Sequence, residues 1–103
     1  MSKETEEKFE RPSQRIGFVG DFWADVVNEQ TVPDYGTRAR WVGAFPLEAI
    51  EEAIIEAARK YQRVRRAGHT MSAEDLARYV SGTLRHIRED REEAEAVAVR
   101  DAR

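Results

Sequence analysis

Cysteine is absent from the chain, which removes disulfides, thiol nucleophiles and cysteine-ligated zinc together. Histidine is almost as scarce, with only His69 and His86. No apolar run approaches the roughly 20 residues needed to cross a bilayer, and the charged start from Met1 to Arg11 lacks the apolar centre of a signal peptide. These absences point to a cytoplasmic protein with no membrane partner. A phosphate-cradling glycine loop is also missing, since Gly17 and Gly20 merely flank an apolar pair. Ser13, Ser72 and Ser81 have no histidine at an activating spacing. His86 and Glu89 share a helical face, yet two ligands are too few for a metal centre, and His69 reads as a loop residue. The expectation is a non-enzyme with no cofactor and no metal.

What remains is 103 residues, 41% hydrophobic and 36% charged, enough for one small domain with a modest core. The net charge of -3 conceals a segregation. Residues 1–58 carry 6 basic and 12 acidic residues, residues 59–91 carry 9 and 4, and residues 92–103 carry 2 and 4. An acid, base, acid layout suggests either a local anionic partner or pairing between unlike segments of two copies. Arginine supplies 14 of the 17 cations. That bias suits bidentate phosphate recognition, and a GC-rich coding bias produces it equally well.

The periodicity predicts an all-α domain of about four helices over residues 16–90, with a disordered lead-in at 1–15 and a charged helical or frayed tail at 91–103. A short helix is expected over 21–30, with Asp21 as N-cap and the pairs Phe22, Val26 and Trp23, Val27 four apart; Ile16 to Val19 fit a short extended piece. Thr31 to Gly36 read as a loop, and 37–44 as a short helix ending before Pro46. The strongest helix starts at Pro46 as its first residue, with Leu47, Ile50, Ile54, Ala57, Tyr61 and Val64 as its stripe and Gly68 as a C-cap. Ser72 and Asp75 form a capping box for a last helix, whose buried face holds Leu76, Tyr79, Val80, Thr83, Leu84 and Ile87. Gly82 inside it implies either a close neighbour or a local weakness.

Glu48, Glu51, Glu52 and Glu56 read as a solvated helix face, with Glu56 placed to pair with Lys60 four residues on. Trp23, Trp41, Phe22 and Phe45 read as packing residues, although Arg38 and Arg40 beside Trp41 keep open a base-stacking surface. The most suggestive feature is Arg59, Lys60, Arg63, Arg65 and Arg66, followed by Arg78, Arg85, Arg88 and Arg91. No acidic residue lies between Glu56 and Glu74. A helix end that complements its dipole explains this run, and so does a phosphate-binding surface, elongated if the two helices are antiparallel.

The stretch from Pro46 to Ala57, with its Ile50, Ala53, Ile54 core, then a basic segment and Arg78-Tyr79-Val80-Ser-Gly-Thr-Leu84-Arg-His-Ile87, resembles the C-terminal helical domain of the DnaD and DnaB-like primosomal proteins, also found in phage and plasmid replication proteins. In that family a tyrosine, isoleucine and tryptophan recur every four residues on the motif helix. Here Tyr79 holds the first position, Thr83 the second and Ile87 the third. The resemblance implies a non-catalytic DNA-binding accessory protein of replication initiation, working on single- or double-stranded DNA beside a replicative helicase or another replication protein. The candidate contacts are Arg59, Lys60, Arg63, Arg65, Arg66, Arg78, Tyr79 and Arg85. The alternative is a helical interaction or oligomerisation module without nucleic acid, and a homo-oligomer is expected under both.

Overall fold

The computed structural model describes residues 11–101, and side chains through Ala98. Among these residues the fold is all-α: α1 (Pro12–Val26), α2 (Tyr35–Ala44), α3 (Leu47–Arg66) and α4 (Ala73–Asp101), with a single 3-10 turn at Glu29–Thr31 and no strand. The expected lead-in at 1–15 lies mostly outside the described residues, but 12–15 are helical.

The first helix departs most from expectation. It starts at Pro12, where a fixed φ and a missing N–H suit the first turn, and the Arg11 amide donates to the Gln14 side chain at 3.2 Å. Ile16, Val19, Gly20 and Trp23 are its buried face, so Ile16 to Val19 are helical, not extended. Asp21 is therefore an exposed residue inside the helix and caps nothing. Gly17 and Gly20 look like helix breakers in the sequence, but Gly20 breaks no helix here; it makes room. A Cβ on Gly20 would stand 2.5 Å from Arg38 Nη1. Through that gap Arg38 donates to the Ile16 carbonyl at 2.9 Å and to the Pro33 carbonyl at 3.0 Å, clasping α2 to α1. Helix α1 ends at Val26, and Asn28 then caps the 3-10 turn by accepting from the Thr31 amide at 2.9 Å.

Helix α2 is capped by Asp34, which accepts from the Thr37 amide at 2.8 Å. The Thr37 side chain first, then that amide and nearby Arg40 and Arg38, hold the Asp34 carboxyl below its ordinary range. Pro46 is one place earlier than expected: it is the extended N-cap of α3, its carbonyl accepting from Ala49 and Ile50. At the other end Gly68 takes φ +87°, with Gly68 N–H donating to the Arg65 carbonyl and His69 N–H to that of Val64, each at 3.0 Å. This is a Schellman closure, which favours a residue without Cβ. The Ser72 and Asp75 capping box forms as expected, at 3.1 and 3.4 Å.

Helix α3 is central. Leu47, Ala49, Ile50, Ala53, Ile54, Ala57 and Ala58 are buried, a face wide enough to receive α4 on one side and α1 with α2 on the other. Leu76, Val80 and Leu84 of α4 close the core. Trp23 and Trp41 are both buried and stack at 6.1 Å between ring centroids and 19° between planes. Their indole N–H groups are satisfied: Trp23 donates to Thr31 Oγ1 and Trp41 to Ser81 Oγ, each at 3.0 Å. Trp41 is thus a packing residue that ties α2 to α4, and with Arg38 committed to the clasp the base-stacking surface around it does not form.

Candidate nucleic-acid interface

The six residues 67–72 turn the chain back on itself, so α3 and α4 run antiparallel. Lys60 stands over Tyr79 near one end of the pair, while Ala49 shares a shallow cleft with Ile87 and Arg88 near the other. Arg63, Arg65, Arg66 and the exposed loop from Ala67 to Thr70 gather at the first end. Arg78 and then Arg85 lead away from it along α4, both exposed. The cations form an elongated track, in keeping with an antiparallel pair.

Within the track the side chains differ in freedom. Arg59 pairs with Glu56 at 2.8 Å, so the glutamate meets Arg59 and not Lys60 as expected. A spacing of three serves as well as four on a helix. Lys60 is half-buried, with its Nζ 5.5 Å from the centre of the Tyr79 ring. Tyr79 is itself only half-buried, since it lies at the margin of α4's inner face beside the fully buried Val80. Arg65 sits 5.8 Å from the Tyr61 ring centre. Arg78 pairs with Glu74 at 3.0 Å, both well exposed. Exposed pairs of this kind contribute about 0–1 kcal/mol, so a phosphate could displace either carboxylate. Arg63, Arg66 and Arg85 are exposed, and their side chains make no hydrogen bond or ion pair among the described residues.

Arg88 belongs elsewhere. Its guanidinium donates to the Ala44 carbonyl at the end of α2 and lies 4.3 Å from the Phe45 ring centre. It acts as a C-cap supplied in trans, a role that no spacing along the chain announces. Near that same end of α3, burial, with Glu48 nearby, pushes the Glu51 carboxyl above its ordinary range. His86 Nδ1 approaches Glu89 at 3.9 Å on an exposed face, and no group of three or more potential metal ligands exists among the described residues. No helix among them is long and apolar enough to cross a membrane.

No family model matches the sequence, no curated protein matches it and no solved structure matches its fold.

Proposed function

We propose that this protein is a non-catalytic, cytoplasmic DNA-binding accessory factor of replication initiation, gripping phosphates with the basic end of the α3–α4 pair. The observation that carries the reading is the cluster of Arg63, Arg65 and Arg66 on the last turn of α3, open to solvent and continued by Arg78 and Arg85. The carbonyls at the end of α3 disfavour an anion, so a polyanion is held there only if the cations dominate, and no acidic residue intervenes between Glu56 and Glu74. Replication as the setting, with a helicase or other replication protein as neighbour, rests on the resemblance to the DnaD and DnaB-like domain.

Fluorescence anisotropy with single- and double-stranded oligonucleotides at two salt concentrations tests the reading. Phosphate contacts must give an affinity that falls with salt, and replacing Arg63, Arg65 and Arg66 together by alanine should flatten that dependence by about three contacts' worth. No binding to either strand form at low salt would sink it.

A further inference from the structure

The outer face of α3 carries a charge pattern that its core packing does not use and of which phosphate binding draws only on the basic end. Glu48, Glu52, Ile55, Arg59, Gln62, Arg63 and Arg66 recur at helical spacings of three and four, and every one of them is exposed. Along that one stripe the order is acid, acid, isoleucine, base, glutamine, base, base. Ile55 is 38% exposed and is one of three large hydrophobic side chains on the described surface. About 15 residues separate Glu48 from Arg63, which at 1.5 Å per residue is about 22 Å. That exceeds the Debye length of about 10 Å at 0.1 M salt, so the two ends cannot neutralise each other within one chain.

We propose that this stripe is the interface of a symmetric dimer, with the α3 helices of two copies packed antiparallel about a two-fold axis between positions 55 and 56. In that register Glu48 faces Arg63 of the second copy and Glu52 faces its Arg59, and each contact occurs twice. The two Ile55 side chains meet at the axis, where their apolar surface leaves water. A parallel pairing would instead set glutamate against glutamate and arginine against arginine. The second copy is the occupant because the stripe is complementary to itself when reversed, which is what an isologous contact requires. Arg59 is already held by Glu56, but an exposed pair exchanges partners at little cost. Arg65 lies off the stripe, so the dimer does not consume the whole basic end. The proposal does not depend on DNA binding.

Sedimentation velocity on the full chain, at about 100 µM protein in about 50 mM salt, should find a dimer whose dissociation constant rises about tenfold or more in about 500 mM salt. Ile55→Asp should sediment as a monomer with unchanged helical circular dichroism, and because it retains every arginine it should still bind DNA if the chain does so. Two charge variants separate this face from any other: Glu48→Arg with Glu52→Arg, and Arg59→Glu with Arg63→Glu. Each should be monomeric alone, the two should form a heterodimer when mixed, and the fourfold swap should restore the homodimer. A monomeric wild type under these conditions overturns the proposal. So does a dimer that survives Ile55→Asp, or charge variants that fail to rescue each other while remaining folded.

Discussion

A glycine inside a helix costs about 1 kcal/mol relative to alanine unless something uses the space it leaves. Gly17 and Gly82 stand inside helices with nothing within 4 Å of where a Cβ would be, whereas Gly20 has the Arg38 guanidinium there. Gly17→Ala and Gly82→Ala should therefore each raise stability by about 1 kcal/mol in thermal or urea melting. Gly20→Ala should not, because any propensity gained is offset when Arg38 loses its path to the Ile16 carbonyl. An increase at Gly20 equal to the other two would show that the clasp contributes nothing. Glu51 gives a prediction with a pH sign. Burial raises its carboxyl pKa in the fold, so its contribution is complete below the ordinary glutamate range and is lost as pH rises through the raised value. Glu51→Gln should accordingly melt higher than wild type at pH 7, with the gain fading on acidification. Asp34 runs the other way: its lowered pKa gives stability that is present at neutral pH and is lost as pH falls through the folded value.

At the scale of elements, periodicity reveals a helix wherever one apolar face dominates, and it fails where packing is made by what a residue lacks. Helix α3 is legible because Leu47, Ile50, Ile54 and Ala57 repeat on one side and the charges obey the dipole. The start of α4 is legible because Ser72 and Asp75 act through local hydrogen bonds. Helix α1 is not, since two glycines within four residues look like punctuation until Arg38, 18 positions after Gly20, arrives to fill the gap. Nor can spacing announce that Ser81 receives the Trp41 indole from 40 residues away. Ser81→Ala leaves that buried donor without its partner and should cost about 1 to 2 kcal/mol in urea melting. The far half of α4 behaves differently, because every residue from Arg88 to Ala98 is exposed and Val97 reaches 45%. Val97→Ala should change stability by less than about 0.5 kcal/mol, as for surface changes that remove no buried contact. A loss of many degrees in melting temperature would mean that this half of the helix is covered in solution.

For the whole molecule the arginines divide into two populations that composition cannot separate. Arg38 and Arg88 each place a guanidinium on a backbone carbonyl of another segment, one holding α1 to α2 and the other holding α2 to α4. Arg63, Arg65 and Arg66 join no two elements. The basic run was readable as a site candidate from spacing and the lack of acids, but the structural duty of the other arginines depends on which carbonyls the folded chain brings near. Opposite outcomes should follow from substitution. Arg38→Ala should lower stability by about 2 kcal/mol, since hydrogen bonds from a charged donor to half-buried carbonyls contribute more than neutral ones. Arg88→Ala should cost about 1 kcal/mol because its site is exposed. Neither should alter the salt dependence of DNA binding measured well below the melting transition. Replacing Arg63, Arg65 and Arg66 together should do the reverse: stability stays within about 0.5 kcal/mol of wild type, while affinity for every sequence falls alike. If the triple variant melts many degrees lower and still binds DNA normally, the basic end of α3 is a structural surface covered by a partner and the phosphate reading loses its main support.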